Sequence, residues 1–179
     1  MKKIVSIGLA VLLMAGLLVF SQSSGVSAKV PNLLEWSTMA GVPSAYTGTK
    51  APIRGLNGGG LPWVLSAGDG ELSGSGKLEL RVVGLVLDPN NPAVIARGLA
   101  GRNPIASFVA VVSCQTVDAS GNAAVVNVAT SPFKATVGLA SQGGGNASVE
   151  TSLSLPKPCI APIVFVGPNS SVWFAATGN

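Results

Sequence analysis

The chain has 179 residues, of which 47% are hydrophobic and only 10% charged, and it contains no histidine. Without histidine the sequence excludes a Ser-His-Asp triad, a Cys-His pair and the usual zinc sites. The formal net charge is +4, but Lys2 and Lys3 supply two of these charges, so residues 29–179 carry about +2. The other basic residues are scattered along the chain, which argues against a surface that binds nucleic acid.

Residues 1–28 have the pattern of a secretory signal peptide with one apolar helix. A positively charged start precedes an apolar stretch at residues 4–20, and the small residues Val26-Ser27-Ala28 form a typical cleavage site. The alternative is a retained membrane anchor, since about 17 apolar residues is the lower limit for crossing a bilayer. We favour cleavage after Ala28, because the apolar stretch is short. We therefore expect a secreted or cell-surface protein whose mature form does not span a membrane.

Residues 29–60 contain many glycines and prolines but no hydrophobic period. We expect an extended, partly ordered N-terminal segment, with Trp36 and Tyr46 as its anchors. The segment ends in the sequence GLNGGG. A phosphate-binding loop would continue with Gly-Lys-Ser or Gly-Lys-Thr, which is absent, so we expect a turn that leads into Trp63.

The rest of the chain is rich in strand patterns. At residues 147–155, and at the start of 77–87, apolar residues alternate with polar ones, as in strands with one buried face. Residues 107–117 are apolar at most positions and predict a central strand that is covered on both faces. We predict about eight strands, over residues 63–72, 77–87, 107–117, 123–130, 133–140, 147–155, 160–166 and 172–178.

Helical patterns are nearly absent after residue 28, where only residues 91–101 could contain a short helical turn. Short strands, glycine-rich turns and a lack of helices are typical of antiparallel sandwiches and barrels. We therefore predict an all-β domain over residues 61–179. We expect it to be a single antiparallel β-sandwich of Greek-key or jelly-roll type.

The chain has two cysteines, Cys114 and Cys159. Disulfides persist in exported proteins, and two cysteines allow only one intramolecular pairing. Intermolecular pairing and unpaired thiols are the alternatives. Cys114 has the same parity as Phe108 and Val112 in the predicted central strand, so its side chain should point into the core. We predict a Cys114–Cys159 disulfide.

The acidic residues offer little for catalysis or metal binding. Asp69 and Glu71 lie two positions apart and would share one face of a strand. A glycosidase instead needs two carboxylates that face each other across a cleft, so we interpret this pair as solvated charges. The sequences DGE and DPNN supply oxygen ligands, but neither has the spacing of a calcium-binding loop. We expect no catalytic residues, no metal site and no cofactor.

Four aromatic side chains with polar groups could stack on a flat ligand such as a sugar, namely Trp36, Tyr46, Trp63 and Trp173. Trp63 and Trp173 are the candidates for a ligand-binding site. The alternative, which we favour, is that both rings pack in the core. The exposure of the rings in a structure distinguishes the two interpretations.

The predicted strands and turns include the segments IRGLNGGGLPW, GLVL, NPIASFVAVVSCQT and LPKPCIAPIVFVGPNSSVWFAATG. In these segments the chain resembles a family of small exported bacterial all-β proteins of unassigned function, over about residues 53–179. The resemblance supports the fold and the disulfide. It implies no activity and identifies no catalytic or binding residue.

These observations predict a secreted or cell-surface module with a structural or interaction role and no catalytic activity. Cell-envelope or extracellular polymers are the candidate partners. The alternative is a β-sandwich that binds carbohydrate or another ligand. A hydrolase that uses carboxylates alone is the least favoured hypothesis.

Overall fold

The computed structural model of the protein describes residues 31–178, so the predicted signal peptide lies outside the described residues. The described chain contains one four-residue α-helix, α1 (Pro92–Ile95), and two 3-10 turns, Ser44–Tyr46 and Ala140–Gln142. This helix fulfils the prediction of one helical turn. The strands are β1 (Asn32–Trp36), β2 (Met39–Gly41), β3 (Gly48–Ile53), β4 (Leu56–Gly58), β5 (Trp63–Val64), β6 (Ala67–Ser73), β7 (Lys77–Val83), β8 (Val86–Leu87), β9 (Arg102–Asn103), β10 (Ser107–Val117), β11 (Ala123–Ala129), β12 (Phe133–Lys134), β13 (Gly138–Leu139), β14 (Ala147–Ser152), β15 (Ile160–Gly167), β16 (Val172–Trp173) and β17 (Ala175–Thr177).

The strands pair into two main sheets and three small ones. The four-stranded sheet has the order β1-β6-β7-β14. The six-stranded sheet has the order β11-β10-β15-β17-β2, with β12 also paired to β10. The small sheets are β13-β9, β16-β4-β3 and β5-β8. All these pairings are antiparallel except that of β4 with β16, so the predicted all-β, antiparallel fold is confirmed.

The four-stranded sheet shows the predicted alternation of apolar and polar residues. In β7 the side chains of Leu78, Leu80 and Val82 are buried, whereas Lys77 and Arg81, at alternate positions, are exposed. Strand β14 pairs with β7 and alternates in the same way. One face of this sheet therefore contributes to the core and the other faces water.

Strand β10 has the bounds that the sequence predicted and is an inner strand of the six-stranded sheet, between β11 and β15. Residues 108–114 are all buried. Apolar side chains on both faces of β10 are therefore covered, as expected for a run without alternation.

The N-terminal segment forms more regular structure than the sequence analysis predicted. Strand β1 pairs with β6, β2 with β17 and β4 with β16, so the segment joins both main sheets. Of the two expected anchors, Trp36 is buried and Tyr46 is 39% exposed. The strands were missed because they have only three to six residues, which is too short to show a period. In addition, β1, β2 and β4 have partners that lie far away in the chain.

Several predicted strands are interrupted in the structure. Gly84 has a φ of +63°, and its N–H donates to Oδ1 of Asn146 at 2.9 Å. This left-handed residue ends β7, and the chain continues as β8, which pairs with β5. Breaks also occur at residues 65–66 and 135–137. The described strands are consequently shorter and more numerous than the eight that we predicted.

The buried apolar side chains form one hydrophobic core that draws on both main sheets. Its largest fully buried members are Phe108, Phe165, Leu56, Leu72, Leu78, Leu85, Val42, Val82, Val94, Val111, Val112 and Val164.

Candidate functional site

The two cysteines form the predicted disulfide, which joins the centre of the six-stranded sheet to the start of β15. Cys114 is fully buried, and the two Cα atoms are 4.9 Å apart. No free cysteine occurs in the described chain. The bridge therefore has a structural role rather than that of a reactive thiol.

Arg54 binds the same part of the six-stranded sheet from the turn between β3 and β4. Its guanidinium donates from Nη1 to the carbonyl of Ser113 and from Nη2 to the carbonyl of Ala161, each at 2.7 Å. The pairing of β10 with β15 shifts register just after Ser113, so a carbonyl there needs another partner. Burial lowers the pKa of Arg54, but a guanidinium remains charged at neutral pH. We conclude that Arg54 fastens an irregularity of the sheet.

The two tryptophans that we considered for ligand binding lie in the core. Trp63 is 4% exposed and stacks on Phe174, with ring centroids 3.8 Å apart and an interplanar angle of 12°. Trp173 is 3% exposed and packs against Phe165 and Tyr46. Neither ring offers a face to solvent, so the favoured interpretation, core packing, agrees with the structure.

The glycine run before Trp63 also serves this packing. A Cβ on Gly59 would lie 2.8 Å from the ring of Phe174 and 3.1 Å from Nε1 of Trp63. The next residue, Gly60, has no such neighbour within 4 Å. The run therefore lets the backbone approach the stacked rings, as expected for a turn that leads into Trp63.

The outer face of the four-stranded sheet carries five of the chain's seven acidic residues, and we call it the acidic face. Strand pairing places Glu35 of β1 opposite Glu71 of β6. Glu71 also lies opposite Glu79 of β7, and Glu79 lies opposite Glu150 of β14. One glutamate from each strand thus joins a continuous row across the sheet, with Asp69 beside it. Like charges in opposite positions repel each other, so the row needs compensating cations.

Two cations lie on the acidic face. Nζ of Lys77 contacts Glu79 and lies 2.8 Å from Oε1 of Glu150. Hydrogen bonds to Glu150 and Glu79 raise the pKa of Lys77 above its ordinary value. Nη2 of Arg81 lies 2.8 Å from Oδ1 of Asp69. The face therefore keeps a net negative charge of about three, in a chain that is positive as a whole.

The acidic face brings together more carboxylates than the sequence analysis anticipated. We interpreted Asp69 and Glu71 as solvated charges, and Asp69 is indeed 41% exposed at its side chain and paired with Arg81. Glu71 accepts a hydrogen bond from Nδ2 of Asn32 at 3.0 Å. The new feature is Glu79, which faces Glu71 from the neighbouring strand. The carboxylates of Asp69, Glu71 and Glu79 line an open, shallow depression rather than a dry pocket.

The DPNN sequence uses its oxygens locally. Oδ1 of Asp88 accepts from the N–H of Asn90 at 2.9 Å, and Oδ1 of Asn91 accepts from the N–H of Ala93 at 3.1 Å, where it caps α1. Within residues 31–178 there is no group of three or more Asp, Glu, Cys or His residues that could hold a metal ion.

The second notable surface is the outer edge of β11, at one end of the six-stranded sheet. Strand β11 pairs with β10, and the N–H of Thr130 extends this ladder to the carbonyl of Ala110. Because an antiparallel ladder bonds every second residue, the N–H and C=O groups of the alternate residues point away from β10. These residues are Ala123, Val125, Asn127 and Ala129.

Within the described part of the chain, no backbone hydrogen bond joins another strand to these outward groups. We call this row of backbone groups the open edge. The exposed face beside it is apolar, because Val125 of β11 is 47% exposed and lines one shallow groove with Val117 of β10 (51%) and Ile160 of β15 (53%). An uncharged, unpaired edge is a template for another strand.

The other edges of the two main sheets are better protected. Strand β1 carries Glu35 and a register shift between Asn32 and Leu34. Strand β14 carries Glu150, and its first residue forms a bridge with Ala135. Strand β2 has only three residues. Charge, irregularity, cover and short length all discourage edge pairing. Strand β11 has seven residues, no charge and no register shift. Its contact with the turn between β3 and β4, where Nδ2 of Asn127 donates to the carbonyl of Arg54 at 3.0 Å, is made by a side chain and leaves the outward backbone groups unpaired.

No family model matches the chain, and comparisons with curated proteins and with solved structures gave no match. The helices found in residues 31–178 are all too short to traverse a bilayer.

The sequence analysis missed both surfaces. The row of glutamates depends on the register between four strands, which a single sequence does not reveal. The open edge had a partial signal, because β11 reads AAVVNVA and is free of charge and proline. That signal needs the strand order before it can be interpreted, since a central strand has the same composition.

Proposed function

We propose that the protein is an exported, non-catalytic interaction module that binds an extended segment of a partner by strand addition to the open edge of β11. The observation that carries this proposal is the seven-residue, uncharged edge strand with unpaired backbone groups, next to exposed apolar side chains. In strand addition the main chain supplies hydrogen bonds and neighbouring apolar pockets supply selectivity.

Export is supported by the signal pattern of residues 1–28 and by the disulfide, since structural disulfides are typical of oxidising compartments. The rigid frame on which the open edge lies is, in our proposal, a β-sandwich. Its support is that the inward faces of the two main sheets share one core. The bacterial family that the sequence resembles consists of small exported all-β proteins, which is in line with this proposal.

Trp63 and Trp173, the candidate side chains for carbohydrate binding, are buried and therefore do not support that role.

A hydrolase that uses carboxylates alone is the second candidate function. It is favoured by one observation, the pair Glu71 and Glu79 on neighbouring strands, because a glycosidase uses two facing carboxylates. Against it, a general acid works best in a dry site that raises its pKa, whereas the side chain of Glu79 is 44% exposed.

The proposal is tested with residues 29–179 and two surface-bound probe sets, one of synthetic β-forming peptides of about ten residues and one of cell-envelope polysaccharides. Val125→Pro removes an outward N–H without removing a bond to β10, because proline is tolerated on edge strands. Val125→Thr keeps both the N–H and the branched shape and is the matched control.

We expect the wild type and Val125→Thr to bind at least one peptide probe equally, and Val125→Pro to bind it at least tenfold more weakly. Equal binding by all three proteins would contradict a role of the open edge. Absence of binding by the wild type to every peptide would also contradict the proposal. If the wild type hydrolyses a polysaccharide, and if Glu71→Gln and Glu79→Gln each abolish this activity, the hydrolase would replace the proposed interaction module.

A further inference from the structure

We infer that the partner of the open edge is a second copy of this chain, whose β11 adds antiparallel to β11 across a two-fold axis at Val126. This inference rests on the proposed function and names the partner of the same surface. It would join two six-stranded sheets into one continuous sheet.

The geometry of β11 fits this pairing at every position. The axis at Val126 is the middle of Ala123–Ala129, so all seven residues of the strand take part. Val125 then lies opposite Asn127 of the second copy, and Ala123 lies opposite its Ala129. These are the residues whose backbone groups point outward, so each such pair can exchange two hydrogen bonds.

The charges at the two ends of the strand are complementary. Strand β11 has no charged residue, whereas Asp118 lies in the turn before it and Lys134 follows it. Antiparallel pairing places the acidic end of one copy near the basic end of the other. Hydrogen bonds, above all those from Asn122, lower the pKa of Asp118 and keep its carboxylate charged.

Self-pairing is disfavoured at the other long edges. Antiparallel pairing of β1 with a second β1, or of β14 with a second β14, would bring Glu35 or Glu150 of the two copies together on one face. In the two-fold arrangement the open edges of both copies are paired with each other, so neither remains free. The assembly therefore closes as a dimer instead of growing into a fibre.

Two single-cysteine variants test the register. Val125→Cys and Asn127→Cys each add one thiol on the exposed face, while Cys114 and Cys159 remain bridged. In the inferred register, Cα atoms of position 125 and of position 127 in the other copy are about 5.5 Å apart, within the range of a disulfide. Two copies of position 125 are about 8 Å apart, which is too far.

Each variant is incubated alone, and the two are mixed in equal amounts, with oxidised glutathione as oxidant. We expect a disulfide-linked dimer in the mixture, several-fold more abundant than with either variant alone. Cross-linking by Val125→Cys alone or by Asn127→Cys alone would place the axis elsewhere and overturn the inference. Equal cross-linking in all three samples would also overturn it, since random collision gives that result.

Sedimentation equilibrium of the unmodified residues 29–179 gives an independent measurement. We expect a reversible dimer with a dissociation constant between micromolar and millimolar, as for small interfaces. Val125→Pro should raise this constant at least tenfold, and Val125→Thr should leave it unchanged. A wild type that stays monomeric but binds peptides in a proline-sensitive way would refute the second copy as partner and leave the proposed function standing. Absence of both dimer and peptide binding would refute both.

Discussion

The two main sheets of the protein use charge in opposite ways. The outer face of the four-stranded sheet carries five acidic residues, and both of its edge strands contain a glutamate. The five strands on the main path of the six-stranded sheet, β11, β10, β15, β17 and β2, contain no charged residue. The first sheet meets water on one face, whereas β10 at the centre of the second is covered on both.

The contrast has a physical cause and a consequence for binding. A charged side chain inside the six-stranded sheet would lose its hydration, so this sheet relies on packing, on the disulfide and on Arg54. The same lack of charge leaves β11 without the protection that Glu35 and Glu150 give to the other sheet. In this protein the proposed interaction site follows from where charge is absent.

The largest effect should come from removing the disulfide of the six-stranded sheet. Cys114 and Cys159 are 45 residues apart, and for a loop of this length the chain-entropy model gives about 4 kcal/mol. We expect the double variant Cys114→Ala/Cys159→Ala to lose about this much stability in urea unfolding. Reduced wild type is the control and should lose a similar amount. A loss below about 1 kcal/mol in both would mean that packing alone holds this sheet.

A smaller effect should follow when Arg54 loses its charge. Arg54→Met keeps much of the aliphatic volume but leaves the carbonyls of Ser113 and Ala161 without their donor. We expect a loss of about 1.5–3 kcal/mol in urea unfolding, since hydrogen bonds from charged groups contribute about this much. Arg54→Lys should recover only part of the loss, because an ammonium lacks the forked geometry. Full recovery of the stability in Arg54→Lys would show that the positive charge alone accounts for the contribution of Arg54.

On the acidic face the expected effects are smaller and can have the opposite sign. Glu71 faces two other glutamates, and its one hydrogen bond comes from an uncharged amide. We expect Glu71→Gln to stabilise the protein by about 0.5 kcal/mol or less at low salt. Asp69→Asn, which loses the contact with Arg81, should not stabilise it. Thermal unfolding at low and high salt measures the stability of both variants. The stabilisation by Glu71→Gln should decrease at high salt, because salt screens the repulsion within the row of glutamates.

The smallest effect concerns the turn before β11. Hydrogen bonds, foremost from Asn122, lower the pKa of Asp118 in the folded protein. A lowered pKa means that the charged form stabilises the fold above the unfolded value of about 4 and that this contribution is lost as pH falls further. Below about pH 4, the stability of Asp118→Asn should therefore depend less on pH than the stability of the wild type. Identical acid profiles would show that the turn carries no such contribution.

Much of the six-stranded sheet could be predicted from the sequence. The apolar run of β10 gave its bounds, and the parity of Cys114 placed this side chain in the core. Both signals are local, because they depend on residues within a single strand. The alternation in β7 and β14 was predictable for the same reason.

The surfaces that define the candidate site were not predictable, because they depend on strand order. Glu35 and Glu150 are far apart in the sequence, and only the pairing of four strands brings them into one row. The sequence of β11 would be equally suitable for a central strand. Strands β2 and β4 of the N-terminal segment have partners near the end of the chain, so no local pattern indicated them.

These last pairings have a consequence for the kinetics of folding. Ala40 of β2 lies beside Ala176 of β17, and Gly58 of β4 lies beside Trp173 of β16. Contacts between residues so distant in sequence form slowly, because a long loop must close first. Strands β2 and β4 cannot complete these pairings until the final strands have been synthesised. A chain with this topology stays incompletely folded while it is being made, which fits the export that we propose.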